Sequence, residues 1–235
     1  MIRQTLLLVI VVFMHFHANA QKNYYAEAFS KCENMLSGKS IPNFQEAVFT
    51  VENAYLDNQL DKVVFVDNIN LYTQICKQIM NSGNIVYPEK DKDIAAGQCA
   101  VFLFMTDTIP IVSGNDIIGS IPFTYNFEDY AGKEEWSSMF VSTLMQTNTG
   151  NCHSLPYLYK IIMDEMGYEC HLALAPNHIY IKVQNKRVGW YNIELTCRDF
   201  PTDVWYVASG YIHTDAIRNG VYMKALSDKE SIALC

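Results

Sequence analysis

Apolar residues recur every three or four positions through most of the first half of the chain. Between Tyr24 and Asn81 the clearest case is Tyr72, Ile75, Cys76, Ile79 and Met80, which share one face of a helix that Ser82-Gly83-Asn84 stops. Shorter patterns predict a helix from Glu27 to Leu36 before Ser37-Gly38, one from about Phe44 after Pro42, and one from Ile94 to Met105. Gly114, Gly119 and Pro122 predict an irregular connection that carries Tyr125 and Phe127. Helical spacing resumes at Trp136, Met139, Phe140, Thr143 and Leu144. After Gly150-Asn151-Cys152, an apolar face runs through Leu155, Leu158, Tyr159, Ile162, Met163 and Met166 to a stop at Gly167. Pro156 fits this helix only in its first turn, where no backbone N–H is needed.

The period then shortens to two. Alternation over 170–175, 178–183 and 188–195 predicts three strands, with Asn185-Lys186-Arg187 as a polar turn between the last two. Ile179, Ile181 and Val183 face away from His178, Tyr180 and Lys182, while Trp190, Asn192 and Glu194 share a face on the next strand. The expectation is an α+β fold: a helical N-terminal half, then a Cys-bearing helix packed on a small antiparallel sheet, and an irregular C-terminal stretch through Trp205 and Tyr211. No internal repeat or low-complexity linker divides the chain, so one compact domain is expected.

Composition narrows the function classes. Half of the 235 residues are hydrophobic and 13% are aromatic, enough to bury a sizeable core and far from a disordered composition. The net charge of −8, with no run of Lys and Arg, argues against a nucleic-acid partner. Arg3, the apolar run from Leu6 to Met14 and the small residues Ala18-Asn19-Ala20 predict a signal peptide over 1–20, hence an exported protein. That run is too short to span a bilayer and no second one approaches spanning length, so no membrane span is expected in the mature chain.

All seven cysteines, at 32, 76, 99, 152, 170, 197 and 235, follow that segment. An oxidising compartment permits disulfides, and a purely structural framework would tie Cys152 to Cys170 or Cys197. The number is odd, so at least one thiol is left over. No C-x-x-C, H-E-x-x-H or H-x₃₋₅-H pattern is present, so neither a metal nor an organic cofactor is expected. Near the end, Ser227-Asp228-Lys229-Glu230 has the form of a capping box. It predicts that 211–235 holds the start of a helical extension, against the alternative of a frayed tail.

The candidate chemistry centres on Cys152. A helix N-terminus favours the thiolate, which needs an imidazole to share its proton and a third group to orient that imidazole. His178 opens one predicted strand, and Glu194 lies on the next. A hairpin turning near residue 186 pairs positions 178 and 194 to within a residue or two. Asn192, on the same face as Glu194, is the alternative orienting group. Gln146, six residues before Cys152, is a weaker candidate for an oxyanion donor, and His153 reads as a polar residue at the helix start.

These residues resemble the transglutaminase-like core of the papain-type cysteine-enzyme superfamily. The resemblance rests on Gly150-Asn151-Cys152, the apolar helix closed by Gly167, the His178 strand and Gly189-Trp190-Tyr191-Asn192-Ile193-Glu194-Leu195-Thr196. It covers roughly residues 130 to 210, with 21–129 as the helical part before it. Glu194 stands where Asp is usual, and the interval from Cys152 to His178 is shorter than in many members. The resemblance implies Cys152 as nucleophile, His178 as base and Glu194 as orienting acid. It also implies acyl transfer on amide carbonyls of a peptide or protein substrate, with hydrolysis favoured over crosslinking. A catalytically silent binding or scaffold domain is the alternative.

Overall fold

The computed structural model describes residues 24–113 and 116–235, so the predicted signal peptide lies outside the described residues. The fold is α+β. Four helices open it: α1 (residues 24–37), α2 (Phe44–Tyr55), α3 (Lys62–Asn81) and α4 (Lys92–Thr106). Asn43 and Asp61 cap α2 and α3 by accepting backbone N–H groups of the first turn. A hairpin follows, β1 (Pro110–Ser113) and β2 (Asp116–Gly119), where the glycine pattern had predicted irregular chain. Gly119 sits at the strand end, and its hairpin is set by pairing that local composition does not report.

The short strand β3 (Thr124–Tyr125) pairs in parallel with β4 (Thr149–Gly150), which comes after the turn Trp136–Met139 and helix α5 (Val141–Thr147). Helix α6 (Ser154–Met166) is the pivot of the molecule. Its predicted apolar face is only part of what it buries, because every residue from Ser154 to Met163 is inaccessible. A helix covered all round lies in the middle of a core. Here α6 packs against α3 and α4 on one side and the sheet on the other. Pro156 falls in its first turn, as the missing N–H requires.

The sheet comprises β5 (His171–Ala175), β6 (His178–Asn185) and β7 (Gly189–Ile193), antiparallel in the order β5-β6-β7. One face, with Leu172, Ile181, Val183 and Ile193, joins the main core, which gathers residues from Met35 to Ile232. The other face, with Ala173, Ala175 and Tyr180, meets a smaller cluster with Tyr206, Ile212 and Met223. The C-terminal stretch is thus not irregular: α7 (Asp203–Ser209) and α8 (Thr214–Arg218) cover that face. The capping box forms at the start of α9 (Asp228–Ile232), with Ser227 and Glu230 bonded reciprocally. This segment is docked rather than frayed. Ile232 is buried, and Asp228 pairs with Lys160, a buried amine that also donates to the Cys170 carbonyl. No helix among the described residues is long and apolar enough to cross a membrane.

Candidate active site

The turn that carries Cys152 is fixed from both sides. Asn148, in the left-handed region at φ 55°, ends α5 and turns the chain into β4. Gly150 is pressed so closely that a Cβ there would lie 2.6 Å from Ser154 Oγ and 2.8 Å from Leu144 Cδ1. Asn151, fully buried, accepts the N–H groups of His153 and Ser154 at 3.0 and 3.2 Å and donates from Nδ2 to the Ser138 carbonyl at 3.1 Å. It therefore braces the turn that leads into α6, whose N-cap is His153, and leaves Cys152 partly exposed just before the helix.

Hairpin β5–β6 turns through Pro176-Asn177, with Asn177 left-handed at φ 55° and its carbonyl 4.0 Å from Cys152 Sγ. The next residue, His178, lies near enough to Cys152 for the thiol to influence its protonation and bonds Glu194 Oε2 through Nε2 at 2.5 Å. With Nε2 on the carboxylate, Nδ1 is the nitrogen left for sulfur. Glu194 is buried and its two oxygens are both engaged. Tyr206 donates its hydroxyl to Oε2 at 2.7 Å, and Thr196 donates to Oε1 through its backbone N–H at 3.0 Å and its hydroxyl at 2.7 Å.

The charges follow from this geometry. Burial is the largest single influence on His178 and pushes its pKa down. The influence of Cys152 and the bond to Glu194, with their charges, outweigh it and hold the imidazole up at about 9. Burial likewise pushes Glu194 up, but its donors from His178, Thr196 and Tyr206 prevail and keep the carboxyl below its usual range. Near neutral pH the pair is imidazolium and carboxylate.

Cys152, His178 and Glu194 lie together, and of the two candidates for the imidazole's partner it is Glu194, not Asn192, that bonds His178. Asn192 is buried and donates to the Pro201 carbonyl at 3.0 Å and to Asp203 Oδ1 at 2.8 Å. Its amide serves α7 instead, together with Lys182, which bonds Asp203 at 2.8 Å. His153 engages the Met139 carbonyl at 2.9 Å through Nδ1 and packs on Tyr157, with burial pushing its pKa down. Gln146 is exposed on α5. All seven cysteines are free, so the bridge from Cys152 to Cys170 or Cys197 is not made. Cys170 is sealed in the main core and Cys197 is exposed beyond Glu194.

Two aromatic residues stand at the site that local sequence pattern does not bring there. Tyr206 is buried and stacks on Tyr180 at 4.1 Å, held in place by α7. The start of α7 was visible as Thr202-Asp203, an N-cap followed by an acid. Tyr125, beside Gly150 through the β3–β4 pairing, feels the centre directly. Burial raises its phenol first, and negative charge on Cys152 and Glu194 raises it further. Among the described residues no group of three His, Cys, Asp or Glu is arranged to hold a metal ion. Compared with protein-family models, curated proteins and solved structures, the chain finds no match in any of the three.

Proposed function

We propose that this chain is an exported cysteine-dependent acyl-transfer enzyme of transglutaminase-like type, acting on amide or peptide carbonyls and favouring hydrolysis. The observation that carries the reading is the imidazole of His178 bonded to a fully engaged Glu194 carboxylate and set near the partly exposed Cys152 at the start of α6. In this reading the proton of Cys152 already rests on His178, and the thiolate paired with that imidazolium attacks the carbonyl carbon, forming a C–S bond. As the C–N bond breaks, His178 gives its proton to the departing nitrogen. Water, deprotonated by His178, then attacks the thioester and releases the acid and the free thiol. Glu194 keeps the imidazole oriented and stabilises its charged form.

Competitive labelling with limiting iodoacetamide tests this, because Cys197 is more exposed than Cys152 and serves as an internal control. Exposure alone makes Cys197 the fastest thiol. The proposed pair makes Cys152 faster by about tenfold or more near pH 6.5, where an unassisted thiol is almost wholly protonated. His178→Ala should abolish that advantage. Peptide mapping that finds Cys152 no faster than Cys197 overturns the proposal.

A further inference from the structure

A cavity of about 320 Å³ adjoins the imidazole, its wall including His178 and Glu194 but not Cys152. Ala175, Pro176 and Gly210 form its apolar side, Thr196, Cys197 and Ser209 add polar atoms to the lining, and Trp205, 51% exposed, stands at its rim. The Gly210 position is close-packed: a Cβ there would come within 2.9 Å of the Tyr206 carbonyl and 3.4 Å of Pro176 Cδ. Among the described residues four other cavities are larger, beside the C-terminal end of α6, beside α3 and α4, at the β6–β7 turn and between α1 and the C-terminal segment, and none of the four touches His178. About 300 Å³ is the low end for a ligand pocket, suited to one side chain rather than an extended ligand.

The chemistry says which part of a substrate meets this wall. The acyl part stays on Cys152, while the imidazole must reach the departing nitrogen, so a cavity against His178 and away from sulfur receives what is attached to that nitrogen. The lining says what kind of group fits. Glu194 is the acid of this cavity, and both its oxygens are taken by His178, Tyr206 and Thr196. It has no face to offer an ammonium or guanidinium group, whereas the exposed ring of Trp205 and the side chains of Ala175 and Pro176 offer apolar surface. We propose that this cavity binds an aromatic or large aliphatic side chain on the amine side of the amide, and that the substrates are peptide bonds followed by such a residue. The inference rests on the acyl-transfer reading.

Amine capture separates the two. p-Nitrophenyl acetate acylates a reactive cysteine without using the cavity: the C–S bond forms, the ester C–O bond breaks and p-nitrophenolate leaves. By microscopic reversibility an amine that attacks the acetyl thioester occupies the leaving-amine site, forming C–N, breaking C–S and passing its proton to His178. With equimolar phenylalaninamide, glycinamide and argininamide, mass spectrometry of the N-acetyl products, corrected with Cys152→Ala, should favour phenylalaninamide over glycinamide about tenfold, with argininamide near glycinamide. Because the ratio is read within one acyl-enzyme population, it does not depend on how much enzyme is active. Trp205→Ala, which removes the rim, and Ser209→Phe, which fills the mouth, should each bring it towards one. Equal capture by wild type, preference for argininamide, acetate as the sole product, or a ratio unmoved in both variants overturns the cavity assignment alone. Absence of Cys152-dependent p-nitrophenolate release overturns the acyl-transfer reading, and the inference with it.

Discussion

Glu194 reaches His178 along a diagonal. The β6–β7 register pairs Ile181 with Ile193, and continued by one step it sets Tyr180, not His178, opposite Glu194. The hairpin midpoint is one residue later than the polar turn suggested, so the carboxylate must cross to a diagonal neighbour, a span of roughly 7 Å between such positions in a sheet. The second methylene of Glu supplies that reach. Glu194→Asp should therefore lose the bond to Nε2 and remove most of the advantage in alkylation that Cys152 holds over Cys197, approaching but not exceeding the loss in His178→Ala. Glu194→Gln keeps the reach but not the charge, and should fall less than His178→Ala. Tyr206→Phe leaves the stacking intact and removes one donor from Oε2, so burial pushes Glu194 upward and the ratio of alkylation at pH 5 to that at pH 7 should drop below wild type. The three site residues were legible because one helix start and one hairpin bring them together. Tyr206 and Tyr125 were not, because their approach depends on α7 docking and on the β3–β4 pairing, contacts between segments far apart in sequence.

At the scale of elements, the long helices and the three-stranded sheet were legible because each carries several turns or alternations of one period. What escaped was short: β1 and β2 with four residues each, α7 with seven, α8 with five. Elements of this length do not hold by local preference. They form because a partner covers them, as Asp203 is held by Lys182 and Asn192 on the sheet and Tyr206 stacks on Tyr180. Two substitutions test how the turn before α6 is kept. Gly150→Ala forces its new methyl group on Ser154 and Leu144, at about 1–3 kcal/mol, and moves Cys152, so the thermal midpoint and the alkylation rate should fall together. Asn151→Ala removes the acceptor for the His153 and Ser154 N–H groups and the tie to Ser138. It should cost about 1–2 kcal/mol and lower the reactivity of Cys152 more than that of Cys197, as parallel denaturant titration and labelling would show.

For the whole molecule, the buried titratable groups set the dependence of stability on pH. Glu52, on α2, accepts the N–H groups of Val141 and Ser142 at the start of α5, at 2.7 and 2.9 Å, yet burial outweighs these donors and pushes its carboxyl up to about 7. The folded state therefore binds a proton that the unfolded chain has released, and the stability this brings is lost as pH rises from the ordinary carboxyl range to about 7. His178, held up at about 9, contributes in the same direction at higher pH: fully below about 6.5, and lost as pH rises through about 9. The cysteines Cys76, Cys170 and Cys235, pushed up by burial, add the same sign only once unfolded thiols ionise, above about pH 8.5. Between about pH 7.2 and 8.2 the slope thus belongs mainly to His178 among these groups. Guanidinium titrations across that interval should show wild type losing stability with each step of pH and His178→Ala losing distinctly less, whatever the absolute stability of the variant. Parallel slopes would mean that the imidazole is not held protonated by Glu194 and Cys152 in the folded state.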